Sequence, residues 1–100
     1  MDYEELEYKF IELHGAEKST MMGTPCLRYN GQFFSMMFTK ESSLILKLPE
    51  KRVNELIDIG KGHEFNFTKK RFKEWVLIPE SLEDEYEALM LEALNHTKNA

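Results

Sequence analysis

The sequence predicts an α+β fold, a two-layer sandwich in which helices cover an antiparallel five-stranded sheet. Apolar residues recur at helical spacing near both ends of the chain, and an Asn-Gly pair lies between two apolar runs. Three further short segments have strand-like apolar alternation. The 100-residue chain is 42% apolar and contains no linker, which indicates a single domain over residues 1–100 with its own core.

The first element is predicted to be a helix from Asp2 to His14. Its apolar positions at helical spacing are Tyr3, Leu6, Phe10 and Leu13. Acidic residues crowd the first turn, where the helix dipole favours them, and Gly15 follows as a stop signal. The single apolar stripe predicts that one side of this helix packs on the sheet.

The next element is predicted to be a β-hairpin over Pro25–Phe38, because Asn30-Gly31 is typical of a type I′ turn. A two-residue loop pairs Leu27 with Phe34 and places both in the core. The residues expected on that core face are Pro25, Leu27, Tyr29, Phe34, Met36 and Phe38. The residues expected on the opposite face are Cys26, Arg28, Phe33, Ser35 and Met37.

The second half of the chain completes the predicted sheet and adds two helices. The expected strands are Ser43–Leu48, Glu64–Phe67 and Glu74–Ile78, and the expected helices are Pro49 to about Ile59 and Leu82 to about His96. Gly60-Lys61-Gly62 is interpreted as the end of the second helix. The predicted order is therefore α-β-β-β-α-β-β-α.

Several local sequences resemble those of a known family. Met21-Met22-Gly23-Thr24, followed by Leu27-x-Tyr29-x-Gly31-x-Phe33-Phe34, is similar to the opening motif and hairpin of TfoX N-terminal-like domains. Leu44–Leu48, Lys73–Pro79 and the closing Glu-Ala-Leu helix resemble later parts of that domain, so the resemblance spans residues 17–96. It implies a secretion-chaperone-like α-β(3)-α-β(2)-α topology, shared with YjbR-like proteins. It also implies a bacterial regulatory module related to competence for DNA uptake, and it supplies no catalytic residues.

Composition argues against several classes of protein. The chain has no apolar run long enough to span a membrane, and its acidic N-terminus lacks the features of a secretory signal. One cysteine excludes an internal disulfide and suits the cytoplasm. The candidate metal ligands, Cys26, His14, His63 and His96, have no ligand-like spacing. We therefore expect no metal and no cofactor, and a catalytic Cys26 activated by Arg28 is the weakest alternative.

The sheet face opposite the predicted core is the first candidate contact surface. Its predicted contact set comprises Arg28, Phe33, Ser35, Met37, Ile45 and Lys47. Either Trp75 and Leu77 or Val76 and Ile78 must join it, according to the phase of the last strand. If one helical layer leaves this face open, its apolar area predicts self-association or binding of a protein or small ligand. The alternative is that a helix, such as the first one, covers it.

A short basic segment is the second candidate surface. Lys69, Lys70, Arg71 and Lys73 surround Phe72 and precede Trp75, so phosphates and stacked bases could be bound there. The alternative is a charged strand edge that prevents aggregation. A net charge of −5 argues against nucleic-acid binding through overall charge, which favours that alternative.

The predicted function is that of a non-enzymatic cytoplasmic binding or regulatory module of the TfoX N-terminal-like type. It is expected to act through protein–protein contacts, including self-association into a homodimer, and to have no membrane partner. The alternative is a nucleic-acid-associated transcription regulator that uses Lys69–Lys73.

Overall fold

A computed structural model describes residues 2–21 and 23–99 of the chain. Over these residues it contains three α-helices and one six-stranded antiparallel sheet with strand order β1-β2-β3-β4-β6-β5. The elements are α1 (Tyr3–His14), β1 (Glu17–Met21), β2 (Thr24–Tyr29), β3 (Gln32–Phe38), β4 (Ser43–Lys47), α2 (Glu50–Asp58), β5 (His63–Phe67), β6 (Lys70–Pro79) and α3 (Tyr86–Lys98). The predicted α+β class is confirmed, whereas the predicted number of strands is wrong. None of the helices in these residues is long and apolar enough to cross a membrane.

All three helices pack on one face of the sheet. Leu6 of α1, Leu56 of α2 and Met90 of α3 belong to one buried cluster, which also contains sheet residues such as Leu44 and Ile78. The opposite face, called the helix-free face below, has a separate buried cluster. That cluster comprises Cys26, Phe33, Met36, Ile45 and Phe65, with Met21, Phe38, Phe72, Trp75 and Leu77 half-buried against it. Within the described residues no helix covers this face, so the alternative that the first helix covers it is wrong.

The strand missing from the prediction is β1, which pairs with β2 from Glu17↔Arg28 to Met21↔Thr24. Its sequence, Glu-Lys-Ser-Thr-Met, is polar and mostly exposed. Since it lies at the edge of the sheet, burial imposes no apolar alternation on it, and only pairing with β2 makes it a strand. Met22, part of the motif behind the family resemblance, lies outside the described residues.

A β-bulge in β3 changes which side chains share a face. The pairs Tyr29↔Gln32 and Arg28↔Phe33 follow the Asn30-Gly31 turn, but the next pairs are Leu27↔Ser35 and Cys26↔Met36. Phe34 is thus the extra residue of the bulge, and every later side chain of β3 changes face. Leu27 and Phe34 both lie in the helix-side core, as predicted.

The bulge makes four of the predicted face assignments wrong. Met36 and Phe38 lie on the helix-free face, whereas Ser35 and Met37 lie on the helix side. Pro25, also predicted to be in the core, is exposed because it lies near the tip of the β1–β2 hairpin, where it pairs with Thr20 beside the closing pair Met21↔Thr24.

Two helices also differ in detail from the prediction. Leu13 is 67% exposed, because α1 turns that position away from the sheet. The segment Glu80–Glu85 is a 3-10 helix in which Leu82 has non-helical dihedral angles, so α3 begins only at Tyr86. The buried stripe of α3 nevertheless includes the predicted Leu89, Met90, Ala93 and Leu94.

Tyr86 is expected to make the fold less stable at alkaline pH. Its side chain is fully buried and its hydroxyl donates a hydrogen bond to the Ile78 carbonyl oxygen (3.3 Å). Burial, together with the charges of Glu80 and Glu83, raises the pKa of Tyr86 to about 12. In the unfolded chain the phenol ionises near its ordinary pKa of about 10, so the free energy of unfolding decreases between about pH 10 and pH 12.

We therefore expect the free energy of unfolding of the wild-type protein, measured with urea, to decrease by about 2–3 kcal/mol between about pH 9 and pH 12 because of this group. The Tyr86→Phe variant should lack this part of the decline while keeping the part that comes from Tyr3, whose pKa burial also raises. Equal declines in the two proteins would contradict the assignment to Tyr86.

Candidate binding face

Aromatic side chains from three strands meet on the helix-free face. The rings are those of Phe33 and Phe38 in β3, Phe65 and Phe67 in β5, and Phe72 and Trp75 in β6. Phe65 is at their centre, with centroid distances of 5.4 Å to Trp75, 5.5 Å to Phe72 and 5.8 Å to Phe38. Because Phe65 is itself 1% exposed, it acts as the core of this face and the outer rings form its surface.

The outer rings leave apolar surface accessible. Phe67 stacks on Phe65 with an interplanar angle of 7°, and 41% of its surface is exposed. Phe38, Phe72 and Trp75 are half-buried. A depression of about 380 Å³ between Phe38 and Phe67 lies on one side of Phe65. A second, more open depression of about 340 Å³ lies by Phe72 and Trp75.

The second depression, called the β6 depression below, brings the two predicted surfaces together. It is lined by Lys47 of β4 and by Lys70, Arg71, Phe72, Lys73, Glu74 and Trp75 of β6. Lys47 belongs to the predicted contact set and is paired with Trp75 across the sheet. Lys69 lies outside this lining, in the two-residue turn between β5 and β6, where its φ is +63°.

The cations around the β6 depression differ in how strongly they are already engaged. Arg71 donates a hydrogen bond to Asn54 Oδ1 (3.2 Å), and its Nε lies 3.4 Å from a carboxylate oxygen of Glu64. Lys70 Nζ lies over the ring of Phe72, 5.4 Å from its centroid. Among the described residues, neither Lys47, Lys70 nor Lys73 takes part in an ion pair. These three ammonium groups are therefore available to a ligand.

Most of the predicted contact set lies elsewhere or is inaccessible. Phe33 and Ile45 are on the helix-free face as predicted, but they are 5% and 0% exposed and form its interior. Ser35 lies 3.3 Å from the Tyr3 hydroxyl, and Met37 packs against the helix-side core. Ser35 and Met37 are therefore not on the predicted surface.

Arg28, another member of the predicted contact set, binds within its own hairpin. Its Nε donates to Ser19 Oγ (3.0 Å) and a terminal nitrogen donates to the Gly31 carbonyl oxygen (3.2 Å). These bonds hold β1 against β2 and the turn. Lys47 is the only member of the set that lines the β6 depression.

Sequence reasoning missed Phe38 and Phe67 as contact residues. Simple alternation from the turn assigns Phe38 to the opposite face, because the bulge at Phe34 has no local sequence signal. Phe67 alternates with Phe65 in the sequence, and this alternation places both on one face without showing which of them is exposed.

Cys26 is buried beneath the helix-free face. Its exposed fraction is 0%, and burial raises the pKa of the thiol although nearby Arg28 opposes the shift. The neutral thiol is a weak nucleophile, so the environment does not activate it. Over residues 2–21 and 23–99, no group of three His, Cys, Asp or Glu side chains is placed to hold a metal ion.

We expect the Cys26 thiol to react with a chromogenic disulfide reagent at least about 100-fold more slowly in the folded protein than in urea, because access requires local opening. The reaction can be followed by absorbance. Similar rates in the two conditions would show that the thiol is accessible and would reopen a chemical role for it.

Comparison of the chain with protein-family models finds no match, and comparison with curated proteins finds no significant match. The relationship to TfoX N-terminal-like domains therefore stays a prediction based on local motifs.

Proposed function

We propose that this protein is a non-enzymatic, cytoplasmic binding module that presents its helix-free face to a protein partner. The observation that supports the proposal is an apolar sheet face without a helical layer in the described residues, with Phe67 exposed at its surface. A regulatory role of the TfoX N-terminal-like type is the corresponding biological proposal, supported by the motif resemblance alone.

The construction of the face supports a binding role. Phe65 and the other buried members form a packed layer beneath the outer rings without a partner, so the outer rings already rest against buried side chains before binding. Preorganised aromatic side chains lose little conformational entropy on association, and they are frequent among residues that dominate binding energy. Depressions on both sides of Phe65 would receive side chains from the partner.

A photo-crosslinking phenylalanine analogue at position 67 tests the proposal in cells. The matched control carries the same analogue at position 59, because Ile59 is an exposed apolar residue at the end of α2 (62% exposed). We expect a discrete adduct from position 67 and none from position 59. An adduct of twice the chain mass would identify the partner as a second copy.

The purified partner should then bind the Phe67→Ser variant at least about tenfold more weakly than the wild type, and the Ile59→Ser variant with unchanged affinity. Adducts from position 59 alone, or equal losses in both variants, would contradict a role for the helix-free face.

Single-stranded nucleic acid is the second candidate ligand, because Lys47 joins Lys70 and Lys73 beside two aromatic rings. The packing of Trp75 argues against base stacking, because its ring is already in contact with three others. The centroid distances are 4.7 Å to Phe33, 4.9 Å to Phe72 and 5.4 Å to Phe65. Fluorescence anisotropy with a labelled oligothymidine decides between the candidates. Salt-dependent binding that a Lys70→Glu/Arg71→Glu variant abolishes would support nucleic acid, and no difference from the wild type would dismiss it.

A further inference from the structure

Strand β6 has an open edge next to the end of β4. β4 pairs only with the second half of β6, over Trp75–Pro79. The amide of Leu48 still donates to the Glu74 carbonyl oxygen (2.8 Å), after which the chain turns into α2. On its other side, β6 pairs with β5 through Lys70–Phe72. Within the described residues, Lys70–Phe72 thus have a strand neighbour on one side only.

The pairing between β5 and β6 contains a large irregularity at the same place. The register changes from Glu64↔Val76 directly to Phe65↔Phe72, which leaves Lys73, Glu74 and Trp75 without partners in β5. Bulges of this kind re-aim side chains and interrupt pairing at the edges of sheets. The β6 depression lies along this segment.

The charge at this edge is opposite to that of the whole protein. Lys47, Lys70 and Lys73 line the β6 depression without ion-pair partners among the described residues, and Glu74 is its only acidic lining residue. The complete chain carries a net charge of −5. A local cationic site of this kind favours acidic side chains over basic ones.

The aromatic residues in the depression suit an apolar side chain better than a planar base. Phe72 has Lys70 over one face of its ring and Trp75 at 4.9 Å, so its ring is already covered in part. Both rings are half-buried. Their remaining surface can contact an aliphatic side chain, which has no requirement for an open ring face.

We infer that the open edge of β6 at Lys70–Lys73 takes an extended acidic segment of a partner protein as an added strand. The backbone of the segment pairs with β6 in line with β4, its acidic side chains contact Lys47, Lys70 and Lys73, and an apolar side chain contacts Phe72 and Trp75. Strand addition of this type combines main-chain hydrogen bonds with side-chain pockets. The inference rests on the proposed function and names the chemistry of the partner.

The open edge is short, so the contact is weak by itself. Four strand residues extend roughly 13 Å. A single added strand buries much less than a standard interface, and we expect a dissociation constant on the order of 100 µM.

Trp75 provides a direct measurement, because it is the only tryptophan in the chain and lines the depression. The probe is an acetylated peptide about seven residues long, with glutamate and valine taking turns along one face of the strand and threonine at the intervening positions. We expect it to change the Trp75 fluorescence in a saturable and salt-sensitive manner. A peptide of the same sequence with every internal backbone amide methylated keeps its charges but has no N–H donor on either edge. It cannot pair as a strand, and it should bind at least about tenfold more weakly.

The Lys70→Glu/Lys73→Glu variant should bind the probe at least about tenfold more weakly than the wild type. The matched control is Lys40→Glu/Lys51→Glu, which changes the net charge equally at two exposed positions outside the depression. We expect it to bind nearly as tightly as the wild type at physiological salt.

Three outcomes would overturn the inference. Equal binding of the methylated peptide would exclude strand addition, and equal losses in the two lysine variants would exclude the β6 depression as the site. Absence of binding up to about 1 mM peptide, with or without binding of oligothymidine, would exclude an acidic segment as the occupant. The adduct formed at position 67 does not depend on these results, so failure here is distinguishable from failure of the proposed function.

Discussion

Replacing Phe65 with alanine is expected to destabilise the protein by about 3–5 kcal/mol, because the ring is fully buried at the centre of the aromatic cluster. A domain of this size has a free energy of unfolding of about 5–15 kcal/mol, so the loss is a large fraction of the total. The truncation removes the contacts of Phe65 with Phe38, Phe72 and Trp75 together and leaves a cavity among these rings. Urea unfolding followed by far-UV circular dichroism measures the change.

Phe67→Ala is the matched control for this prediction. Phe67 lies two residues further along the same strand and on the same face, but it is exposed. We expect a loss of at most about 1 kcal/mol. Equal effects of the two substitutions would mean that the cluster is not a second core. The comparison also separates a residue that maintains the face from one that is available to a partner.

Gly62→Ala is expected to cost about 1–3 kcal/mol through overpacking. A Cβ atom on Gly62 would lie 2.6 Å from Val76 Cγ2 and 3.4 Å from Leu56 Cβ. Val76 is a buried β-branched residue with little rotational freedom, so it cannot move aside without disturbing the core between α2 and β6. Glycine is required at position 62 because the backbone there lies close to Val76 of β6 and Leu56 of α2.

A double-mutant cycle measures the energetic coupling between positions 62 and 76. Val76→Ala removes the methyl group that clashes, so Gly62→Ala should be less costly in the Val76→Ala background by about 1–2 kcal/mol. Gly60→Ala is the control, because Gly60 has a φ of +79° and a Cβ atom added there would have no heavy atom within 4 Å beyond its chain neighbours. Its cost comes from backbone strain and should be additive with Val76→Ala. Additivity at Gly62 would contradict the steric account.

Some of this fold could be predicted because local patterns and tertiary packing agree. Asn30-Gly31 adopts positive φ at both positions, and the first two pairs of the hairpin follow from that turn. Leu44 and Leu46 alternate with Ile45, and the structure places them on opposite faces as expected. In such segments the spacing of apolar residues is sufficient to identify the buried side.

The candidate site could be predicted less well, because the positions of its residues depend on how neighbouring strands pair. The bulge at Phe34 exchanges the faces of Ser35 and Met37 with those of Met36 and Phe38. Lys47 and Lys73 are far apart in sequence. They line one depression only because β4 ends at Lys47, before it reaches the first half of β6. No local pattern encodes how far a strand is paired.

The amino-acid sequence by itself determined the α+β class, the number and approximate extent of the three helices and the turn that joins β2 to β3, because these depend on periodicity and local backbone preference. The tertiary structure alone decided that β1 is a strand, that β3 contains a bulge and that one sheet face has no helical cover in the described residues. Those features result from hydrogen bonding and packing between distant segments, whose energies outweigh local preferences.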